Sequence, residues 1–251
     1  MIATRSQVLA SAVAVASAGL AHGATLTDTF DYPDQAAFEA AYTIEASEGS
    51  AATLDLSGGA SDVDFTVAAG SSNSVRITSN AGPFALTADS PASVGVTTVD
   101  GEGFDLFGRG RIGLSSASTP GSEFYLQLEG RNANSDRFRL VVKSGGNSET
   151  VAEVNLPSQD RIGDFLLTID GGNLSVLRNG SAITELTDIA SGVDFSEYAT
   201  GADAFFELRN ASNNPRGVTI DNLSIDASPV PEPGSLALAG VGVFVLLRRR
   251  R

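Results

Sequence analysis

Hydrophobic and polar residues alternate along short runs through most of the chain. Gly, Ser, Asn and Asp interrupt these runs at a spacing of about 8 to 12 residues, which is typical of an all-β sandwich or barrel of antiparallel strands. Because successive side chains of a strand point to opposite faces, each run predicts one buried face. The predicted core residues are Phe138, Leu140, Phe165, Leu167, Ile169, Phe206 and Leu208.

Turn-forming residues separate several of these runs and predict hairpins. Asn-Gly is the strongest short hairpin signal, and Gly-Gly pairs permit the positive φ values that tight turns need. Helical spacing occurs at residues 35–42, where Phe38 and Tyr42 stand four positions apart. The predicted turns are Gly145-Gly146, Gly171-Gly172 and Asn179-Gly180.

The last run changes parity partway along. Val218 and Ile220 point to one face of a regular strand, whereas Leu223 and Ile225 point to the other. A β-bulge inserts one extra residue into a strand and would return all four side chains to a single face. We therefore predict a bulge near residues 221–222.

The first 23 residues have the three parts of a cleaved export signal. Arg5 supplies positive charge, residues 8–20 form an apolar stretch rich in Ala and Val, and small residues flank His22 where a signal peptidase cuts. We expect residues 1–23 to be a signal peptide and the exported protein to begin at or near Ala24. The alternative is a core helix, but no periodic polar face accompanies the apolar run.

The last segment combines prolines, a hydrophobic stretch and a basic end. Pro231-Glu232-Pro233 cannot form regular structure, because each proline lacks an amide donor and restricts the residue before it. Residues 234–247 predict a short transmembrane helix that rises about 21 Å, against a hydrocarbon core of about 30 Å. The alternative is a soluble amphipathic helix with a basic end. The terminal cations, which should stay cytoplasmic, are Arg248, Arg249, Arg250 and Arg251.

These three parts, in this order, resemble the PEP-CTERM sorting signal of Gram-negative bacteria. The resemblance implies a sorting tail at residues 229–251 that an exosortase-type processing enzyme recognises, with cleavage near Pro231-Glu232-Pro233. It also implies a protein anchored in the inner membrane before processing and delivered to the cell surface or an exopolysaccharide matrix afterwards. It implies nothing about the domain that precedes the tail.

That domain, residues 24–228, has a composition that excludes several kinds of site. It holds 29 of the 30 acidic residues and 11 of the 16 basic residues, a balance that repels nucleic acid and anionic lipid. The chain has no cysteine, and its one histidine, His22, lies in the predicted signal peptide. Disulfides, thiolate chemistry, His-ligated metals and a Ser-His-Asp triad are therefore excluded from this domain.

Several segments of the domain resemble the concanavalin A-like jelly rolls, including the laminin-G-like group. Residues 28–32 resemble the opening strand of that fold, residues 167–176 and 178–180 its hairpins, and residues 219–225 its closing strand. The resemblance implies a two-sheet antiparallel β-sandwich, the jelly roll, for residues 24–228.

Two neighbouring runs, residues 124–129 and 137–143, place polar side chains on the face away from the predicted core. These side chains, which include Glu129 and Lys143, form a surface suited to polar or acidic glycans. The alternative is a solvated face whose opposite charges pair across strands, each pair contributing about 0.2–1 kcal/mol. The candidate ligand residues are Tyr125, Gln127, Arg137 and Arg139.

A calcium ion is a further candidate, since related sandwiches hold one where the first and last strands meet. Asp28 and Asp31 lie on the first strand and Asp221 on the last. Carboxylate and carbonyl oxygens are the ligands that Ca²⁺ prefers, but the sequence has no Asp-x-Asp-x-Asp-Gly loop. Without an ion these residues are ordinary aspartates at strand ends.

Two functions remain open from the sequence. The first is a non-catalytic surface or matrix protein whose jelly-roll domain contacts glycan or matrix. The second is a secreted glycan-active hydrolase on the same sandwich. Retaining glycosidases that the domain resembles use a Glu-x-Asp-x-x-Glu strand, and this spacing is not found here, so we expect no catalytic residues.

Overall fold

The computed structural model describes residues 24–57, 62–100, 108–132, 135–157, 161–210 and 212–227. Within these ranges the chain forms two antiparallel sheets, one α-helix, α1 at Gln35–Ala41, and 3₁₀ turns at Thr184–Leu186 and Phe195–Tyr198. The predicted all-β sandwich is confirmed, because the hydrophobic faces of the two sheets share one core.

The strands divide unequally between the two sheets. The nine-stranded sheet contains β1 (Ala24–Asp28), β3 (Ala51–Asp55), β4 (Asp62–Val67), β6 (Ala92–Asp100), β11 (Gly163–Asp170), β12 (Asn173–Arg178), β13 (Ser181–Ala182), β14 (Ile189–Ala190) and β16 (Arg216–Ala227). The seven-stranded sheet contains β2 (Tyr42–Ala46), β5 (Ser74–Ser79), β7 (Gly108–Ser116), β8 (Glu123–Asn132), β9 (Ser135–Ser144), β10 (Asn147–Pro157) and β15 (Ala202–Asn210).

Strand order brings the two ends of the described domain together. The nine-stranded sheet has the order β13-β12-β11-β6-β16-β4-β3, and the seven-stranded sheet has the order β10-β9-β8-β7-β15-β5-β2. β16 pairs with β6 along one edge, and along the other it pairs first with β4 and then with β1. Ala24 therefore lies opposite Ala227, as the predicted meeting of first and last strands requires.

The core lies between the sheets and contains the residues that the alternation predicted. Aromatic pairs join the two layers: the ring centroids of Phe65 and Phe206 are 4.9 Å apart, and those of Phe138 and Phe165 are 5.6 Å apart. Both pairs have the edge-to-face geometry that aromatic rings favour. All seven predicted core residues are buried: Phe138, Leu140, Phe165, Leu167, Ile169, Phe206 and Leu208.

The predicted hairpins are also confirmed. β9 and β10 are joined through the Gly145-Gly146 turn, and β11 and β12 through the Gly171-Gly172 turn. β12 and β13 are joined at Asn179, with φ +49°, and Gly180, with φ +75°. Two successive positive φ values match the right-handed twist of the flanking strands, which explains the preference for Asn-Gly at this turn.

The predicted bulge in the closing strand is present. The register between β6 and β16 shifts between Ile220 and Asn222. The shift compensates for the change of parity, because Val218, Ile220, Leu223 and Ile225 are all buried.

The predicted helix ends one residue earlier than the spacing indicated. The carboxylate of Asp34 caps α1 by accepting a hydrogen bond from the Ala37 amide at 2.9 Å. Tyr42 is already extended and begins β2, yet its ring still packs against Phe38 at a centroid distance of 5.2 Å. The four-residue spacing therefore identified a true contact but not the end of the helix.

The predicted signal peptide at residues 1–23 and the predicted transmembrane helix at residues 234–247 lie outside the described residues. Within the described part of the chain, no helix combines the length and the hydrophobicity that a membrane crossing needs.

Candidate functional site

The outer face of the seven-stranded sheet, which points away from the core, carries most of the positive charge of the domain. We call it the charged face. Of the ten basic residues between positions 24 and 228 whose side chains the structure describes, seven lie on it, although the chain as a whole has a formal net charge of −14. They are Arg76, Arg109, Arg111, Arg137, Arg139, Lys143 and Arg209.

One row of side chains crosses all seven strands of this face and alternates in charge, with a glutamine at one position. Within it, Arg111 bonds to Glu207 at 3.1 Å, and Arg139 bonds to Glu153 at 2.8 Å. Opposite charges on neighbouring strands stabilise the register of a sheet. From β10 to β2 the row reads Glu153, Arg139, Gln127, Arg111, Glu207, Arg76 and Glu45.

Glu129 on β8 is the centre of a cluster of three arginines. Its carboxylate lies 2.7 Å from Arg137, 3.3 Å from Arg109 and 4.0 Å from Arg139. The Glu129 side chain is 5% exposed, whereas Arg109 and Arg139 are 33% and 23% exposed. Burial alone would raise the pKa of the Glu129 carboxyl, but the hydrogen bond from Arg137 and the charges of the arginines outweigh it and lower the pKa.

Glu123, at the other end of β8, has a similar environment. It accepts hydrogen bonds from Lys143 and, at 2.8 Å, from Arg76. Burial opposes ionisation here too, but these two cations hold the pKa of the Glu123 carboxyl below its ordinary value. In both clusters the carboxylate is more deeply buried than the cations that surround it.

A small aromatic cluster lies between the two charged clusters. The rings of Tyr125 on β8 and Phe205 on β15 meet edge to face at 6.3 Å, across Gly113 on the strand between them. The guanidinium of Arg76 lies 3.6 Å from the centre of the Phe205 ring, and that of Arg111 lies 4.9 Å from the centre of the Tyr125 ring. These are cation–π distances, so the arginine side chains shield both rings from water.

All four predicted ligand residues lie on the charged face, but they are not equally accessible. Arg137 and Arg139 are partly exposed, whereas Tyr125 and Gln127 are each only 3% exposed. Arg111 covers Tyr125 and donates to the Gln127 side chain at 3.1 Å. The expectation that Tyr125 and Gln127 offer open contact surface is therefore wrong, and the expected pairing of opposite charges across strands is present.

Sequence reasoning missed Arg76, Arg109 and Arg111 as parts of this face. The alternation of Arg109 and Arg111 with Gly110 and Ile112 was a usable signal for two of them, because it places both arginines on one face of β7. Their partners come from strands distant in sequence, so the pattern alone could not connect them.

The structure does not bring the predicted calcium ligands together. Asp28 accepts hydrogen bonds from the Tyr32 hydroxyl, from the Tyr42 hydroxyl at 2.8 Å and from the Phe30 amide at 2.8 Å. Asp31 accepts from Thr29 at 2.9 Å. Three donors already occupy the Asp28 carboxylate, which joins β2 and the segment before α1 to the end of β1. Among the described residues, no three His, Asp or Glu side chains form a group that could hold a metal ion.

Asp221, the third of the predicted ligands, has a different neighbour. It lies beside Asp62 on β4, and the pKa of the Asp62 carboxyl is raised, first by burial and then by the charge of Asp221. Asp221 therefore interacts across the β4–β16 pair rather than with the first strand.

Residues 229–251 match the PEP-CTERM protein-sorting motif. The predicted sorting residues, which lie outside the described residues, all fall within this match: Pro231, Glu232, Pro233, Arg248, Arg249, Arg250 and Arg251. No curated protein matches the chain.

Solved structures resemble the chain in fold over more than three quarters of its length. The potassium-bound carbohydrate recognition domain of Emp46p has a TM-score of 0.55 at 12% identity, covering 82% of this chain and 97% of that one. A Shewanella oneidensis protein of unknown function has a TM-score of 0.53 at 11% identity, covering 83% of this chain and 88% of that one. A family 16 glycoside hydrolase endo-glucanase from Bacteroides ovatus has a TM-score of 0.51 at 12% identity, covering 80% of this chain and 99% of that one.

At these identities the likeness to solved structures concerns the fold alone. The similar structures include both carbohydrate-binding and hydrolase domains with the jelly-roll architecture. A sorting motif of this kind indicates an exported protein. The chain thus contains a jelly-roll sandwich followed by a PEP-CTERM protein-sorting motif at residues 229–251.

Proposed function

We propose that this is an exported surface or matrix protein, processed by an exosortase-type enzyme, whose sandwich binds acidic glycan without catalysis through the charged face. One observation carries the proposal: in the Glu123 and Glu129 clusters the shared carboxylate is more deeply buried than the cations around it. At these clusters a carboxylate-bearing or sulfate-bearing polysaccharide, such as an acidic exopolysaccharide, therefore meets cationic groups first.

The geometry of the Glu129 cluster supports an anionic ligand. Three arginines surround Glu129, and Glu153 pairs with Arg139 at 2.8 Å, so the cluster keeps one more cation than carboxylates. Arginine has five N–H donors in a fixed planar fork, which suits carboxylate and sulfate oxygens. Arg109 and Arg139 retain exposed edges that a ligand anion reaches while Glu129 still holds Arg137.

The acidity of the rest of the domain does not prevent this contact. At physiological ionic strength the screening length is about 8 Å, so exposed carboxylates farther away have little effect on a bound anion. Direct contact with Arg109 and Arg139 is then governed by the local excess of cations. Affinity should fall as salt rises, because salt screens exposed charges.

The alternative is a hydrolase on the same sandwich. A glycosidase needs one carboxylic acid that keeps its proton near neutral pH, which requires a raised pKa. Glu123 and Glu129 have lowered pKa values because cations surround them. Both carboxyl groups are therefore poor general acids, and this favours binding over hydrolysis at the two clusters.

The proposal is tested with a panel of polysaccharides presented to the purified full-length protein, with and without Ca²⁺. Polyuronates and sulfated glycans should be retained, and this retention should weaken as NaCl is raised and in the double variant Arg109→Gln/Arg139→Gln. Retention of the acidic members that the double variant leaves unchanged, or release of reducing sugar from any member, would contradict it.

A further inference from the structure

A cleft of about 380 Å³ lies on the outer face of the nine-stranded sheet, opposite the charged face. Ligand sites in proteins usually have volumes of about 300–1,000 Å³, so the cleft is large enough for a small ligand. One row of five residues crosses it from β12 to β1. The row consists of Leu177, Leu166, Gly95, Ser224 and Thr27.

Gly95 lies in the row that crosses the cleft, at a position where a larger residue does not fit. A Cβ atom at this position would lie 2.5 Å from the Ser224 hydroxyl oxygen and 3.1 Å from Leu166 Cδ1. Leu166 and Ser224 thus close over the space that a side chain would occupy. Glycine in the middle of a strand weakens the strand and often marks a close approach by another group. At Gly95 the approaching groups are the side chains of Ser224 and Leu166.

One half of the cleft is apolar. Leu166 and Leu177 are directly opposite on β11 and β12, and both are only partly buried. Their parity is opposite to that of the core residues on the same strands, such as Phe165 and Val176. They therefore give an apolar patch to a sheet face that otherwise carries Ser, Thr, Asn and Asp in this region.

The other half is polar and its hydrogen bonds have fixed directions. The Thr97 hydroxyl donates to Asp164 at 2.6 Å and accepts from the Asn222 amide at 2.9 Å. A carboxylate accepts about four hydrogen bonds, of which Thr97 takes one. Asp164 is exposed and stands at the edge of the cleft. This half suits a ligand that presents hydroxyl groups.

We propose that this cleft binds a neutral sugar residue. A pyranose ring has an apolar C–H face and a rim of hydroxyls, which match the leucine pair and the Asp164–Thr97–Asn222 chain respectively. Among the described lining residues, Asp164 is the one charged group. Its carboxylate repels an acidic sugar, so this site and the charged face select different glycans.

The test is a calorimetric titration of the full-length protein with neutral oligosaccharides of glucose, mannose and galactose. At least one should bind saturably, with an affinity that Asp164→Ala and Leu177→Ser each weaken at least tenfold. Asp164→Asn, which keeps the shape of the side chain, should also weaken binding. Thr168→Ala is the matched control, because Thr168 points outward from β11 but lies outside the cleft. Unfolding midpoints establish that each variant is folded.

Two results would overturn the inference. One is no saturable binding across the neutral panel, or binding that these variants leave unchanged. The other is a concentration-dependent dimer that Leu177→Ser abolishes, which would assign the leucine pair to a second copy of this chain. The double variant Arg109→Gln/Arg139→Gln should retain neutral binding, so failure here and failure of the charged face are distinguishable.

Discussion

At the scale of single residues, the most informative groups are the buried carboxylates of the charged face. Removing Glu129 from water costs free energy, and ionised groups tolerate burial only when paired. Glu129 meets this condition through Arg137 at 2.7 Å and Arg109 at 3.3 Å. Loss of its charge should therefore affect both stability and the orientation of the arginines.

Acid should weaken the fold through these groups. The pKa values of Glu123 and Glu129 are lowered from 4.5, so their ionised pairs stabilise the protein above that pH, and this stability is lost as pH falls through their folded pKa values. Glu129→Gln should flatten the unfolding free energy between about pH 5 and pH 3, measured by urea denaturation.

Asp203 on β15 provides the opposite control. Burial raises the pKa of its carboxyl, so its ionisation opposes folding as pH rises. Asp203→Asn should therefore make the loss of stability in acid steeper, and Glu129→Gln should make it shallower. A pH profile like that of the parent protein in both variants would contradict these pKa shifts.

A second residue-scale prediction concerns the core. Phe206 is fully buried and packs edge to face on Phe65 from the opposite sheet. Phe206→Ala should lower the free energy of unfolding by about 3–5 kcal/mol, since a cavity remains between the sheets. Leu56→Ala is the control, because Leu56 is 51% exposed and its loss should change stability by less than about 0.5 kcal/mol. An unchanged urea midpoint for Phe206→Ala would contradict this core assignment.

At the scale of strands and turns, local patterns predicted most of what is observed. The alternation of hydrophobic and polar residues identifies the buried face of a strand directly. Asn179-Gly180 specifies its turn because both residues readily adopt the positive φ values that the turn requires. The same alternation could not show that the outer face of β8 is covered. Tyr125 and Gln127 are buried by Arg111 on β7, and the position of that strand beside β8 depends on the overall strand order.

Local sequence patterns also could not predict the order of the strands in the two sheets. β11, β6 and β16 are neighbours although they are far apart in the sequence. The cleft depends on this arrangement, because both its row of five residues and its Asp164–Thr97–Asn222 chain run across these strands. The outward parity of Leu166 and Leu177 was visible in the sequence, but nothing local placed Gly95 and Ser224 beside them.

Gly113 provides a test at the element scale. A Cβ atom on this residue would lie 2.2 Å from the Phe124 carbonyl oxygen and 2.6 Å from Tyr125 Cβ. The strands β7 and β8 would have to separate, so Gly113→Ala should destabilise the protein by about 3 kcal/mol or more. Thermal unfolding measures the effect.

Gly145→Ala is the matched control for that change. Its Cβ atom would meet nothing within 4 Å, and only its φ of +54° opposes the substitution. The expected cost is about 1 kcal/mol. Equal effects of the two substitutions would show that β7 and β8 are not as close as described.

At the scale of the whole molecule, a described β-sandwich precedes the matched sorting motif. Residues 24–227 supply the described core, and the sorting motif at residues 229–251 begins two residues later. Ala24 and Ala227 are paired, so the predicted signal peptide and the tail join the domain at the same sheet edge. Processing at both ends would leave the charged face and the cleft in place.

Deletion of residues 234–251 should therefore leave the sandwich with the same unfolding temperature but without its cellular destination. Replacing Arg248, Arg249, Arg250 and Arg251 by alanine should let the tail pass through the bilayer, because these cations are predicted to stay on the cytoplasmic side. Cell fractionation, with mass spectrometry of the mature carboxyl end, measures both effects. Delivery of the deleted form to the same surface fraction as the intact protein would contradict the sorting role.

The central claim is that the outward arginines of the charged face bind an acidic glycan. Its most direct test is the affinity of the full-length protein for a polyuronate, compared with the double variant Arg109→Gln/Arg139→Gln, which leaves Arg137 to pair with Glu129. Arg216→Gln, on β16 of the other sheet, is the control. We expect at least tenfold weaker binding by the double variant and no more than a twofold change in the control. Equal affinity of the double variant and the parent protein would contradict the claim.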